Sequence, residues 1–305
     1  MKTGGLAVSL AALAAALAAG CTPGTTSDLP LTSATSSPLE PYWTLAYGAA
    51  QDYAARDRLL EAAFQKRIAA CVREEGFEYQ IEEGRYVQEE TPPAVAPGTM
   101  EYRALYGYGI SSGELSGAGA AGPGTDDPNM AIRESLSAEG RAAYDLALGG
   151  EETVDADGVI NRSGGCYDLA WDAVYGGAAF TGGLRWEGLL EEMTSLGDRA
   201  AASAEMAKVN GDWSACMRGK SFGALGGPDD ATALADERSR SGAADAVEFE
   251  VRLAVADLEC QQEVDYQVRS DQILYSLEEE FVDARKADLE SWAQEAKEEL
   301  AALTG

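Results

Sequence analysis

The last 62 residues before the C-terminal glycine, from Ala243 to Thr304, contain neither glycine nor proline. Glycine and proline are the residues that most often end helices, so this run can form long ones. Its apolar residues recur at helical spacing on two stripes, Val251, Val255 and Leu258 on one and Leu253, Cys260, Val264 and Val268 on the other. Apolar residues on two faces predict a buried central helix. A single apolar face continues from Leu274 to Leu300 and predicts a long terminal helix.

Helical periodicity also appears in shorter segments earlier in the chain. It predicts helices from Tyr47 to Glu75, from Ser137 to Leu148, from Cys166 onward, and from Leu184 to Val209 with an interruption at Gly211. Between Gln80 and Asn129 the periodicity fails, and prolines and glycines predict a long irregular loop with a short hairpin. A glycine-rich break at 176–183 predicts an N-terminal lobe at 42–180 and a C-terminal lobe at 181–305. The predicted fold is mainly α, a helical two-lobe body with long Gly/Pro loops.

The N-terminus has the features of an export signal. Lys2 gives a positive start, and the fourteen residues from Leu6 to Ala19 are an unbroken run of Ala, Leu, Val and Ser. This run is too short to cross a bilayer as a helix, which takes about 20 residues. It matches the apolar region of a secretory signal, which is typically ~7–15 residues long. Residues 1–20 are therefore predicted to be a signal peptide.

The signal ends in the sequence Leu-Ala-Ala-Gly-Cys at residues 17–21. This ending resembles the lipobox of bacterial lipoproteins. The resemblance implies that Cys21 receives a diacylglyceryl group, becomes the mature N-terminus and anchors the chain to the outer face of the cytoplasmic membrane. Thirteen of the twenty residues from Thr22 to Pro41 are Thr, Ser or Pro. Such a composition buries too little apolar surface to fold, so residues 21–41 are predicted to be a disordered tether.

The charge of the chain limits its partners. It has 52 acidic and 23 basic residues, no histidine and a formal net charge of -29. A surface of this charge repels phosphate, so nucleic acid is not an expected partner. Without histidine, a His-based catalytic triad and a His-ligated zinc or haem are excluded. The sequence predicts no metal site and no cofactor.

Two short glycine motifs occur without the context that catalysis needs. Gly109 to Gly113 matches Gly-x-Ser-x-Gly, but no histidine exists to accept the serine proton. Gly117 to Gly122 matches Gly-x-Gly-x-x-Gly, but Pro123 follows and no helix is predicted to open there and hold a pyrophosphate. Carboxylate pairs for glycoside hydrolysis arise by chance among 52 acids. We therefore predict no catalytic residues and a non-enzymatic protein.

Four cysteines remain when Cys21 is set aside, namely Cys71, Cys166, Cys216 and Cys260. Export places them in an oxidising compartment, and their even number favours two disulfides with three pairings open. The segment Ala70–Phe77 parallels Ala215–Phe222, with four of eight positions identical. Each copy lies late in a helical pattern, carries one cysteine and has a further cysteine downstream. The similarity of the two segments indicates an internal repeat.

Residues 213–217 have the sequence Trp-Ser-Ala-Cys-Met, and residues 254–260 have Ala-Val-Ala-Asp-Leu-Glu-Cys. These segments resemble a group of uncharacterised secreted proteins and lipoproteins common in actinobacteria, which carry a helix ending in Cys-Met and a later Ala-x-Ala-Asp-x-x-Cys. The resemblance implies a helical architecture stapled by disulfides and implies no activity. The resemblance and the internal repeat together favour the pairs Cys71–Cys166 and Cys216–Cys260.

These features predict a lipid-anchored, non-enzymatic binding or envelope-interaction module whose ligand, a protein or another envelope component, is unknown. An alternative is a solute-binding lipoprotein of an ABC transporter, which requires strands and helices alternating around a parallel sheet. A carboxylate-type cell-wall hydrolase is a third. Glycine-bounded aromatic loops often contact ligands, so the predicted ligand contacts are Tyr102, Tyr106 and Tyr108.

Overall fold

The computed structural model describes residues 31–81, 95–112, 127–154 and 159–304, and within these ranges the chain is mainly helical, as predicted. The helices are α1 (Glu40–Tyr47), α2 (Tyr53–Glu74), α3 (Met100–Tyr106), α4 (Pro128–Ser135), α5 (Ala138–Gly149), α6 (Cys166–Tyr175), α7 (Gly183–Ala201), α8 (Ala204–Gly219), α9 (Pro228–Arg240), α10 (Ala246–Glu263) and α11 (Tyr266–Thr304). A 3-10 turn at Ala50–Asp52 precedes α2. The strands β1 (Gly150–Val154) and β2 (Ile160–Gly164) form an antiparallel pair between α5 and α6.

The larger of two hydrophobic cores forms where α1, α2 and α7 pack on α11 and α6 packs on α2. Phe64 and Ile68 of α2, Val174 of α6 and Trp292 of α11 are all buried in it. The indole N–H of Trp292 donates to the carbonyl of Ala178 at 2.9 Å, so the polar atom of this buried ring is satisfied. Segments on both sides of residue 180 contribute to this core, so the predicted lobe boundary does not coincide with the division between the cores.

The smaller core forms where α3, α8 and α9 pack on α10. Trp213 and Met217 of α8 and Leu253 of α10 are fully buried in it. The two-stripe pattern that predicted a buried central helix corresponds in part to α10, which other helices cover on more than one side. The prediction is wrong for Val264 and Val268, because α10 ends at Glu263 and Val268 is exposed on α11.

Both predicted disulfides are confirmed. Cys71 of α2 is bonded to Cys166, the first residue of α6, with Cα atoms 5.5 Å apart. Cys216 of α8 is bonded to Cys260 of α10, with Cα atoms 5.6 Å apart. Each core is thus crossed by one covalent link between two of its helices.

The two helices that carry the first cysteine of each pair end in the same way. The backbone N–H of Phe77 donates five residues back along α2 at 3.1 Å, and the N–H of Phe222 does the same along α8 at 2.9 Å. This closure is the Schellman motif, which needs a left-handed residue just before its donor. Gly76 fills that position with a φ of 88°, and Ser221 fills it with a φ of 71°. The repeated sequence segment therefore has a repeated local structure.

The prediction of one continuous helix from Leu184 to Val209 is wrong. It is two helices, α7 and α8, and the predicted interruption at Gly211 lies inside α8. The chain breaks at Ser203, whose hydroxyl accepts the backbone N–H of Met206 at 3.0 Å. A serine in this position starts a new helix by satisfying one of its free N–H groups.

The predicted irregular loop at 80–129 contains a helix that the sequence did not indicate, α3. Thr99 caps it by accepting the backbone N–H of Tyr102 at 3.2 Å. The short hairpin predicted in this loop stays a prediction, because residues 82–94 and 113–126 lie outside the described residues. A hairpin that the structure describes lies later in the chain, where Gly150 pairs with Gly164.

The predicted disordered tether at 21–41 is wrong at its C-terminal end. The backbone N–H of Thr32 donates to the hydroxyl of Ser276 at 2.8 Å, and the Ser37 hydroxyl donates to Glu278 at 2.5 Å. Leu39 is buried in the larger core. These contacts hold residues 32–39 against α11. The predicted signal peptide and the predicted lipidation site Cys21 lie outside the described residues.

Candidate functional site

The three predicted ligand-contact tyrosines lie together on and just after α3. Tyr102 and Tyr108 are buried, Tyr106 is half-buried, and the rings of Tyr102 and Tyr106 are 5.2 Å apart. Tyr108 belongs to the smaller core. The rings of Tyr102 and Tyr108 are turned inward instead of toward solvent, and the ligand contacts predicted for the three tyrosines stay a prediction.

A buried carboxylate on α10 holds the turn that follows α3. One oxygen of Glu250 accepts the backbone N–H groups of Tyr108 and Ile110 at 2.8 and 2.9 Å, and the other accepts that of Ser111 at 2.8 Å. Gly107 makes this approach fit, because a Cβ there would lie 2.7 Å from Cγ of Glu250. Ser111, the serine of the Gly-x-Ser-x-Gly sequence, thus contributes one of the three backbone N–H groups that Glu250 binds. We call these three hydrogen bonds the Glu250 clamp.

A second buried carboxylate lies two turns further along α10. Asp257 accepts hydrogen bonds from the Tyr108 hydroxyl at 3.1 Å, the Trp213 indole at 3.0 Å and the Gln261 amide at 2.8 Å. Burial raises the pKa of Asp257, and burial followed by the charge of Asp257 raises the pKa of Tyr108. Both carboxylates are almost fully buried. A glycosidase carboxylate must reach its substrate, so this pair has a structural role.

Aromatic side chains form a row along one side of α6. Tyr167, Trp171 and Tyr175 are each four residues apart, which places them on one face of the helix. The ring centroids of Tyr167 and Trp171 are 6.4 Å apart with planes at 13°, and those of Trp171 and Tyr175 are 4.5 Å apart. Tyr167 is 41% exposed and Trp171 is 47% exposed. These three residues are called the aromatic row.

The aromatic row packs against α2 on its buried side. Phe64 of α2 meets the Tyr167 ring edge-on at 5.1 Å and the Trp171 ring edge-on at 6.1 Å. The disulfide at Cys166 ties the start of α6 to α2. Burial raises the pKa of Tyr175, and the negative charge of nearby Asp57 adds to this effect. The row is therefore a fixed, partly exposed aromatic surface with an acidic end.

A groove of about 620 Å³ lies between α10, α3 and the turn that follows α8. Its lining includes the apolar side chains Phe222, Phe249, Val251 and Val255 and the charged side chains Lys220, Arg252 and Glu259. The rings of Phe222 and Phe249 meet edge to face at 6.1 Å. The Lys220 ammonium donates to Glu259 at 2.5 Å, which raises the pKa of Lys220. We call this site the α8–α10 groove.

A cavity of about 640 Å³ lies at the corresponding end of α2. Its lining includes Glu75, Phe77, Leu146, Glu151 and Leu169. Phe77 and Phe222 occupy equivalent places in the two repeated segments, so each repeat ends beside a cavity. The charged groups of the α2 cavity are carboxylates, whereas the α8–α10 groove carries cations.

Among the described residues, no helix combines the length and the apolarity needed to span a bilayer. The same ranges hold no group of three or more His, Cys, Asp or Glu side chains placed to bind a metal ion. The aromatic row and the cavities at the ends of α2 and α8 are candidate binding surfaces of the described part of the molecule.

Sequence reasoning missed both Glu250 and the aromatic row. Nothing in the sequence distinguishes Glu250 from the other acids of the chain, because its partners are backbone groups 139 to 142 residues away. The aromatic row did leave a signal, since three aromatic residues at a spacing of four mark one helix face. Comparison with known proteins adds no further assignment, since no family model, curated protein or solved structure matches the chain.

Proposed function

We propose that this protein is a lipid-anchored, non-enzymatic binding module on the outer face of the cytoplasmic membrane. The signal-like N-terminus, the lipobox-like sequence ending at Cys21 and the two disulfides support export and anchoring. The ligand is a protein or another component of the cell envelope, and the aromatic row is the surface that binds it.

The observation that carries the binding role is the exposure of Tyr167 and Trp171 on a rigid helix. Tyrosine and tryptophan dominate the binding energy of protein interfaces, because they bring large contact areas and lose little conformational entropy. In the aromatic row the rings already rest on Phe64 and on one another. A surface fixed in this way needs little ordering when a partner binds.

The two alternatives receive less support. A solute-binding protein with α/β lobes needs parallel strands, and in the described ranges the sheet is one antiparallel pair. A carboxylate hydrolase needs two accessible acids, whereas Glu250 and Asp257 of α10 are buried and occupied by protein donors.

Anchoring is tested by mass spectrometry of the protein isolated from bacterial membranes. The expected product begins at Cys21 and carries the mass of a diacylglyceryl group. A Cys21→Ala variant is expected to appear in the soluble extracytoplasmic fraction or to keep its leader. A wild-type product with an intact leader, or with an unmodified Cys21, would overturn the anchored form of the proposal.

Binding by the aromatic row is tested by photo-crosslinking in intact cells. A photoreactive phenylalanine analogue is placed at Trp171, and at Leu184 as a matched control, because Leu184 is fully exposed on another helix. The expected result is a discrete crosslinked species from position 171 that is missing from position 184 and lost when Tyr167→Ala is added. No adduct at position 171, or the same adducts at both positions, would contradict the proposed surface.

A further inference from the structure

Basic side chains outnumber acidic ones in the lining of the α8–α10 groove, the opposite of the chain as a whole. The chain has more than twice as many acidic as basic residues, but two cations and one carboxylate line this groove. Glu259 is engaged by Lys220 at 2.5 Å. Arg252 is exposed and has no hydrogen bond or ion pair with any described residue. The pKa of Asp245, which lies outside the groove lining, is lowered by its hydrogen bond to Arg238 and further by the charge of Arg252. The groove therefore presents a positive group that its own side chains do not neutralise.

The remainder of the groove is apolar. Phe222 and Phe249 form one wall, and Val251 and Val255 come from the same helix as Arg252. The Arg238 guanidinium lies 4.6 Å from the centre of the Phe249 ring, and it is held there by Asp245 at 2.7 Å. Arg238 therefore supports the aromatic wall, and Arg252 is the cation left for a ligand.

We infer that the α8–α10 groove binds a small amphipathic carboxylate, whose apolar body lies against Phe222 and Phe249 and whose carboxylate pairs with Arg252. The volume of about 620 Å³ lies within the ~300–1,000 Å³ range of small-molecule sites. An apolar lining with one or two placed polar groups is the usual composition of such sites. This inference does not depend on the lipid anchor or on the aromatic row.

A carboxylate is favoured over a neutral or cationic head group for electrostatic reasons. An arginine guanidinium matches a carboxylate with two parallel hydrogen bonds, and charge-assisted bonds are roughly twice as strong as neutral ones. A cationic head group would instead face Arg252 directly, with Glu259 already occupied by Lys220. A neutral ligand would gain only the apolar contacts.

The test is a calorimetric titration of residues 21–305 carrying Cys21→Ser, a chain that contains every described residue. Octanoate, 1-octanol and octyltrimethylammonium serve as probes, because they share one apolar tail and differ in head-group charge. Octanoate is expected to bind about tenfold more tightly than 1-octanol, and octyltrimethylammonium more weakly than either.

Arg252→Gln removes the proposed partner, and Arg218→Gln is the matched control. Arg218 is also exposed and carries the same charge, but its guanidinium donates to Ser214 outside the groove lining. Arg252→Gln is expected to remove the tenfold preference for octanoate and to leave the affinity for 1-octanol unchanged. Arg218→Gln is expected to leave both affinities unchanged.

Four results would overturn the inference. They are equal affinity for octanoate and 1-octanol, tighter binding of the cation, equal effects of both arginine variants on octanoate binding, and failure of all three probes to bind at millimolar concentration. None of these results bears on anchoring at Cys21 or on crosslinking at Trp171, so the proposed function is tested separately.

Discussion

The ends of α2 and α8 are built on one plan with different residues. Each helix carries a cysteine in its last turns and closes with a Schellman motif that a phenylalanine donor completes. Phe77 packs edge-on against Tyr144 at 5.4 Å, and Phe222 packs edge-on against Phe249 at 6.1 Å. The left-handed position holds Gly76 in the first copy and Ser221 in the second. The hydrogen bonds and the apolar contact therefore define the motif. The residue in the left-handed position can vary, at a cost in stability.

The cores beside these two helix ends differ in how they treat buried polar groups. Near α2, the buried groups include the carboxylate of Glu61 and the amide of Gln65, which accepts a hydrogen bond from Tyr79 at 3.2 Å. Near α8, the buried groups include the carboxylates of Glu250 and Asp257, which accept three hydrogen bonds each. A charge in a core costs far more when its partners are removed than a neutral amide does. Six hydrogen bonds converge on two carboxylates near α8, so this region is expected to be sensitive to changes in its polar side chains.

Removal of the disulfides is expected to have the largest effect on stability. The chain-entropy account assigns roughly 4–5 kcal/mol to each bond, with slightly more for the longer loop. The loop closed by Cys71–Cys166 spans 95 residues and that closed by Cys216–Cys260 spans 44. Replacing both cysteines of either pair with serine should lower the free energy of unfolding in guanidinium by similar amounts, with the larger loss for Cys71 and Cys166.

A reversed order, with the larger loss at Cys216 and Cys260, would show that native packing rather than loop length sets the contribution of each bond. A loss near zero for either pair would contradict the view that both regions are stapled alike. Non-reducing mass mapping of the wild type is the control that both bonds are formed.

Glu250→Gln is expected to have the next largest effect. A glutamine offers one acceptor oxygen where three backbone N–H groups need partners, so at least one buried donor loses its bond. The expected loss is roughly 1–3 kcal/mol in the free energy of unfolding. The matched control is Glu248→Gln, an exposed position on the same helix, which should change stability by less than about 0.5 kcal/mol. Equal effects of the two variants would show that the clamp on the α3 turn contributes nothing.

Exchange of the left-handed residues tests the repeated helix end directly. Gly76→Ser should destabilise and Ser221→Gly should stabilise, each by about 1 kcal/mol, because a side chain in this conformation is strained. The space around a Cβ at Gly76 is open, so the first effect is one of backbone conformation alone. Urea unfolding of both variants and of the double variant gives the comparison. Shifts of the same sign would contradict the structural equivalence of the two ends.

The sequence alone could predict the helices that local periodicity specifies and the disulfides that the two similar segments indicate. The helix at α2, the cap at Ser137 and the long C-terminal helices follow from the spacing of apolar residues and from glycine and serine signals. The pairing Cys71–Cys166 and Cys216–Cys260 was also predicted, from the repeated segment together with the resemblance to the actinobacterial secreted proteins.

The features that could not be predicted depend on contacts between distant residues. The turn after α3 forms because Glu250, about 140 residues further on, accepts its backbone N–H groups. Residues 32–39 are ordered by Ser276 and Glu278 of α11, although their own composition is that of a tether. The α8–α10 groove likewise joins a turn to a helix that lies some thirty residues away in the chain. No window of sequence contains these partners.

The dependence of stability on pH distinguishes two carboxylates in the two regions. Arg133 hydrogen-bonds Asp145 at 2.6 and 2.7 Å and lowers the pKa of that carboxyl, whereas burial raises the pKa of Asp257. A lowered folded pKa gives stability that is present above the ordinary value near 3.8 and is lost as the pH falls. A raised folded pKa gives stability that is present at low pH and is lost as the pH rises above that value.

The difference in unfolding free energy between wild type and Asp145→Asn should therefore shrink as the pH is lowered from 5 to 3. The difference between wild type and Asp257→Asn should shrink in the opposite direction, as the pH is raised from 4 toward 7. Urea unfolding of the three proteins across this range measures both slopes, and it cancels the titration of the remaining acids because they are common to all three. Slopes of the same sign would show that Asp257 is stabilised in its charged form by Tyr108 and Trp213 more strongly than burial penalises it.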